Sequence, residues 1–175
     1  MHIPTHILAG WCLANLVPLS PRERLFTMVA ATAPDIDGLS LLAGIEAYGK
    51  WHHTFGHNAL FAIAIASIFA TFSTHRPRAF AVYLIAVHLH LVMDYFGSGV
   101  GWGIPYGWPI STHAWESRHA WSLSSWQNFI AGVIAIGGTV AIAHWKKRSP
   151  FESLAPTIER QLFRHTRPAP NEPAP

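Results

Sequence analysis

The chain has 175 residues, enough for one domain with one core. Half of them are hydrophobic and only 12% are charged, about half the share usual in globular proteins, which points to a membrane protein. The lone Cys12 excludes a disulfide framework and any multi-cysteine zinc site. The net charge of +3 is gathered at Arg22 and Arg24, Arg76 and Arg78, and the tail from Lys146 to Arg167; it reads as membrane-flanking charge and not as a nucleic-acid groove interleaved with aromatics.

Met1 to Val17 lacks a basic start and carries His2, Pro4 and His6, so no cleavable signal peptide is expected there. The first apolar segment runs from about His6 to Val17 and is closed by Pro18. The second opens with Ser20-Pro21-Arg22-Glu23, a capping box with proline at the first helical position, and reaches about Ala33. Pro34 disfavours helical geometry for Ala33, so Asp35-Ile36-Asp37-Gly38 is expected to be extended. Residues two apart then point the same way, which turns both aspartates to one side. Leu39 to Ile45 stays apolar before a polar break at Glu46 to Lys50. The third segment is Asn58 to Phe72, and the fourth runs from near Arg78 to Gly97. A loop follows from Ser98 to Ser125, rich in Gly and Trp; the fifth segment, Gln127 to Trp145, starts at a second capping box, Ser124 to Gln127, and ends in Lys146-Lys147-Arg148. Ser153 to His165 can form an amphipathic helix at a membrane surface, and Asn171 to Pro175 is Pro-rich and expected to be disordered. The expected fold is all-α: a multi-span helical membrane bundle of about five apolar helices with a Trp-rich outer loop. Residues 1–148 form the membrane domain and 149–175 a cytoplasmic tail.

If all five segments cross, the loops after the first and third and the tail share one side. That side holds ten of the twelve Lys and Arg and belongs in the cytoplasm, as expected for a multi-pass protein of the bacterial inner membrane. The same topology sends His6, Asp35, Asp37, His52, His53, His57 and Asp94 to the outer side. Charge and chemistry therefore sort in opposite directions, which argues for a single polar site at the outer boundary, with the Trp residues of the long loop at headgroup level.

Within the fourth segment His90 and Asp94 are four apart and stack on one helix face, where an imidazole and a carboxylate can share a cation; His88 points away. A carboxylate in so apolar a stretch costs roughly 2.5–3.5 kcal/mol to bury and needs a partner. The plain alternative is a His–Asp hydrogen bond that ties helices together. All three aspartates of the chain fall in the proposed site, with three histidines between His52 and His57. The candidate metal ligands are His6, Asp35, Asp37, His52, His57, His90 and Asp94. Mixed imidazole and carboxylate donors suit Zn²⁺ first, with Mn²⁺ or Fe²⁺ as alternatives. The ligand count favours two ions over one. Such a centre activates water for hydrolysis at phosphorus, and no GxSxG, P-loop or GxGxxG pattern offers a competing chemistry. Glu116, in the Trp-rich loop, is a candidate proton shuttle, and His113 and His119 share that loop. The rival functions are a non-catalytic metal-binding protein or divalent-cation transporter, a haem site on His88 or His90, and a soluble helical hydrolase.

In this order the residues resemble the YdjM/YbcI-like family of bacterial inner-membrane proteins, described as metal-dependent hydrolases. Thr5-His6-Ile7-Leu8 matches its N-terminal histidine and apolar run, and Pro34 to Asp37 matches its Pro-Asp-Ile-Asp. His52 to Asn58 resembles its His-Arg-Gly-x-Thr-His-Ser block at the same five-residue His spacing. His90 to Asp94 matches His-x-x-x-Asp, and Trp108-Pro109 its Trp-Pro. The likeness covers roughly residues 1–110. His53 stands where the family has arginine and Asn58 where it has serine. The resemblance implies a membrane-bound hydrolase. Asp37, His53 and Glu116 are the catalytic candidates in this sequence, beside one or two divalent ions. A weaker likeness in ligand order to zinc-dependent phospholipase C and single-strand nucleases implies a phosphoester, here in a lipid or lipid-linked substrate. The bilayer itself is the expected partner, with no nucleic acid.

Overall fold

The structure is a computed structural model and describes residues 1–163, so Asn171 to Pro175 lie outside the described residues. Its regular elements are helices: α1 (Ile3–Ala14), α2 (Pro21–Ala30), a 3-10 helix (Ala33–Ala43), α3 (Ile45–Trp51), α4 (Ala59–Thr71), α5 (Arg76–Gly97), α6 (Trp126–Lys146) and α7 (Pro156–Leu162). Among the described residues there is no strand, only an isolated antiparallel bridge between Ile104 and Trp115 inside the long loop.

Local sequence explains most boundaries. At Ser20 the capping box is complete: the Glu23 amide donates to Ser20 Oγ at 3.3 Å and the Ser20 amide to Glu23 Oε2 at 2.7 Å. The other oxygen of Glu23 accepts from the Thr74 amide at 3.0 Å, so the cap also ties α2 to the turn between α4 and α5. Ser20→Ala should therefore lower stability by about 1 kcal/mol, read as a drop in the thermal midpoint of the detergent-solubilised protein.

Three local expectations are corrected. Residues 33–43 wind into a 3-10 helix instead of extending: proline is tolerated in a first helical turn, so Pro34 starts the new helix after α2 has ended. The polar break at Glu46 to Lys50 is helical, as α3. The second capping box is absent, since Ser125 precedes α6 without a side-chain cap bond. Asn128 ties that end down instead, donating to the carbonyls of Gly97 (2.8 Å) and Leu123 (2.9 Å) and accepting from Trp121 Nε1 (2.8 Å).

α4 and α5 pair most extensively, and α1 packs on both α2 and α6. The core is built from small residues, Ala30, Ala31, Ala62, Ala66, Ala79 and Ala86, around Tyr83 and Val87. Small side chains let helices approach closely where lipid removes the hydrophobic drive between them. Gly10 shows how closely: a Cβ there would lie 2.7 Å from that of Ala31.

Two helices, α5 with 22 residues and α6 with 21, are long and apolar enough to cross a bilayer, and α2 with the 3-10 helix makes a third candidate span bent by 49°. α1 and α4, with 12 and 13 residues, are too short for that test. By length there are thus two or three candidate spans against the five segments expected. α6 turns Phe129, Ile134, Val140 and Trp145 outward, as lipid-facing helices do. Beyond it, Arg24 grips Glu152, with Nη2 to Oε2 at 2.8 Å, and Glu159 accepts from the Ser149 amide and hydroxyl at 2.9 and 2.6 Å, which docks residues 149–162 against the start of α2.

Candidate metal centre

α5 places His90 and Asp94 on one face, with His90 Nε2 3.1 Å from Asp94 Oδ2. His90 Nδ1–H donates to the carbonyl of Ala31 at 2.8 Å; with that proton committed, Nε2 of the neutral ring presents a lone pair inward. The segment between α3 and α4 repeats the device. His57 sets Nδ1 on Asp37 Oδ2 at 2.9 Å and brings Nε2 to 3.3 Å from Asp94 Oδ2. His53 donates from Nδ1 to the carbonyl of Trp102 at 3.1 Å and turns Nε2 to 3.6 Å from the same oxygen. Three imidazoles thus converge on Asp94, each anchored by its outer nitrogen, the arrangement usual for metal-bound histidines.

Asp35 completes the group from the 3-10 helix, its Oδ1 3.8 Å from His90 Nε2, while its Oδ2 is buried with no hydrogen-bond partner. One ligand atom each from Asp35, His57, His90 and Asp94 lies within 4.8 Å of all the others. Ligand bonds of about 2.0–2.1 Å at tetrahedral angles put neighbouring donors about 3.3 Å apart. The His57–His90 Nε2 separation is 3.1 Å, and both rings lie at 3.1–3.3 Å from Asp94. Two imidazoles and two carboxylates at this spacing can hold a divalent ion, and the Asp35 oxygen without a protein partner gives the cluster an acceptor open to a cation.

Of the remaining expected ligands, His6 stacks on His90 with ring centres 3.9 Å apart and sets Nε2 3.1 Å from the other oxygen of Asp94, Oδ1. Its Nδ1 is buried without a partner. The amino group of Met1 donates to the same Oδ1, and to Ser98 Oγ at 3.2 Å. Asp37 and His52 stand one layer back. Both Asp37 oxygens are engaged, Oδ1 with His52 Nδ1 at 2.9 Å, and Oδ2 with His57 and with the Gly56 amide at 3.3 Å. His52 stacks on Tyr48 at 4.5 Å. Glu116 is exposed in the long loop and accepts from the Gly101 amide, apart from the cluster. His113 packs edge-on against Trp115, and His119 is exposed. His88 faces elsewhere, bonded to Tyr106 Oη at 2.9 Å.

The inward turn of His53 has no signature in the sequence. Its backbone sits at φ 64°, a left-handed conformation uncommon for a residue with a side chain and concentrated at functional sites. Burial disfavours charge on His57, but hydrogen bonds to Asp37 and Asp94 outweigh it and raise its pKa to about 9. Burial and the neighbouring charge of His57 push His53 down to about 3.

The cluster opens on a cavity of about 610 Å³ whose lining includes Asp35, His52, His53 and Asp94 on its polar side and Ile3 and Leu39 on its apolar side. Comparison with curated proteins and with solved structures returns no match. Residues 1–158 match the family model described as YdjM inner membrane protein.

Proposed function

Because the chain belongs to the YdjM inner membrane protein family, we propose that it acts there as a metal-dependent hydrolase, with one divalent ion, zinc first, held by Asp35, His57, His90 and Asp94. One observation carries this: four donors of two kinds, spaced as a metal's ligands are, two of which, Asp35 and Asp94, line a cavity that also has apolar residues in its wall. A divalent ion so held supplies an acidified water and a Lewis acid for an ester oxygen. The chain's own residues supply the rest. Asp37 fixes the ring of His57, and Trp102 fixes that of His53. His53, lining the cavity with Nε2 turned toward Asp94, is placed to pass a proton at that atom. His6 braces Asp94 from the opposite oxygen. Ile3, Leu39 and Leu123 around the cavity favour an ester carried by a lipid or lipid-linked molecule. Crowding of Lys and Arg away from this site favours an outward-facing centre and a cytoplasmic C-terminus, with the shorter helices α1 and α4 also lodged within the bilayer.

Element-resolved metal analysis of the detergent-purified protein, followed by a screen of phosphomonoesters and phosphodiesters, tests the proposal. Ion binding without turnover of any ester would reduce it to a non-catalytic metal site. Asp37→Asn should keep the ion count but weaken affinity 10- to 100-fold, as removal of an outer-layer partner of a metal-bound histidine does. A chelator-competition titration measures this, and an unchanged affinity would remove Asp37 from the site.

A further inference from the structure

The 3-10 helix sorts its side chains by a period of three, because residues i and i+3 eclipse in that geometry. Asp35 and Gly38 fall on one face and line the cavity. Asp37 and Ser40 fall on the second, where Asp37 takes His52 and His57 and Ser40 Oγ donates to the Asp37 carbonyl at 2.6 Å. Ile36, Leu39 and Leu42 make the third, and they are 57, 61 and 88% exposed, with Ile45 beyond them at 74%. Every residue from Leu41 to Ile45 is exposed and none is charged. The tip of this helix therefore stands out from the bundle as bare hydrocarbon, while both of its carboxylates turn inward. An exposed apolar ridge of this kind marks an interaction surface.

Three observations name acyl chains as its occupant. The 3-10 helix continues α2 in the bent candidate span, so the ridge follows directly from an element of membrane character. At 1.5 Å per residue, His90 and Asp94 lie about 21 and 27 Å along α5 from Arg76, and a charge at Arg76 belongs at a membrane boundary. Both therefore sit just inside the far edge of a hydrocarbon core about 30 Å thick, and the 3-10 helix packs on α5 at that end. Glu46, Tyr48, Lys50 and Trp51 follow the ridge at once, the charges and amphipathic rings that flank a segment leaving lipid. We propose that the ridge of Ile36, Leu39 and Leu42 is embedded in the acyl layer of the leaflet nearer the cluster, and that the cavity opens sideways into that layer. Leu39 makes the connection, since it stands both on the ridge and in the cavity wall. A ligand then reaches the aspartates over Leu39 from within the membrane and not from the water above it. The direction of access is the same for a hydrolase and for a non-catalytic metal site.

The test attaches a nitroxide to Ile36→Cys, Leu39→Cys or Leu42→Cys, one per chain, in the full-length protein with Cys12→Ser, held in lipid nanodiscs. Collisional relaxation by dioxygen, which concentrates among acyl chains, is compared with that by chromium oxalate, which stays in water. Val133→Cys on the outward side of α6 serves as the lipid reference and Lys50→Cys as the water reference, both side chains being exposed. All three ridge labels should give the dioxygen-to-chromium ratio of Val133→Cys, severalfold above that of Lys50→Cys. A water-like ratio at Leu42→Cys overturns the embedding. A lipid-like ratio at positions 36 and 42 with a water-like one at 39 overturns the sideways opening. Labels screened from both relaxants, or broadened by a second label on a neighbouring copy, would mean that protein covers the ridge and would overturn the proposal as well. Each substituted ridge side chain is more than half exposed, so the variants should melt with the parent. If Leu39→Cys does not, Ile3→Cys, an exposed apolar position in the same cavity wall, gives the reading in its place.

Discussion

Asp94→Asn is expected to cost the protein its ion and its turnover together, with the fold retained. Oδ2 of Asp94 is within 3.6 Å of the Nε2 atoms of His53, His57 and His90, and Oδ1 takes His6 at 3.1 Å. All four imidazoles meet on this one carboxylate. An amide has nearly the same shape but brings no charge, and its nitrogen would point donors at ring nitrogens that must themselves face a cation. Affinity should therefore fall beyond the 10- to 100-fold typical of outer-layer substitutions, and any esterase activity should drop on the order of a thousandfold or more. Metal analysis and a thermal melt in excess chelator separate the two effects, since the melt reports folding without the ion. Full metal content in Asp94→Asn would end the assignment. Asp94→Ala is the harsher variant: it leaves buried imidazoles without their carboxylate, a loss of about 3–5 kcal/mol for a buried pair deprived of one partner.

Gly56→Ala should be nearly as damaging, although Gly56 bears no ligand. A Cβ built there lies 2.1 Å from the carbonyl oxygen of Pro34 and 2.7 Å from its carbonyl carbon and Cα. Those are backbone atoms that cannot rotate aside, so the 3-10 helix and the 52–58 segment must separate. The same contact carries the bond from the Gly56 amide to Asp37 Oδ2 and the neighbouring one from His57 Nδ1 to the same oxygen. Separation therefore reaches the ion as well as the fold. Overpacking alone costs about 1–3 kcal/mol, and loss of the Asp37 brace should weaken metal binding about a hundredfold. Gly137→Ala is the control: a Cβ there meets nothing within 4 Å, and in a helix the change should be neutral or slightly stabilising. If Gly56→Ala melts and binds metal like Gly137→Ala, the close approach at Pro34 has no functional meaning.

Much of this was legible in the residues because it depends on spacing within one helix. His90 and Asp94, four apart in a long apolar run, are neighbours in any α-helix, and the Ser20–Glu23 cap depends on four consecutive residues. The two aspartates at 35 and 37 were legible as site residues but not in their division of labour. In a 3-10 helix residues two apart diverge instead of aligning, so Asp35 reaches the cluster directly while Asp37 comes up behind His57. Nothing local distinguishes His52 from His53 either. Which ring turns inward is decided by a left-handed backbone at His53 and by the Trp102 carbonyl, contributed by a loop 49 residues further on. Glu116 is a carboxylate in a loop near the right end of the chain, but the Gly101 amide holds it within that loop. By length two or three helices qualify as crossings where five apolar segments were read: helices of 12 and 13 residues reach only about 18–20 Å at 1.5 Å per residue, short of a hydrocarbon core about 30 Å thick.

The order in which the donors leave the ribosome has its own outcome. Asp35 and His57 are made early, but His90 and Asp94 come near the end of α5, so a nascent chain can offer no closed grip on a cation until that helix is threaded and packed. On the proposed metal centre, ion capture would then be a late step at the membrane rather than a guide to early folding.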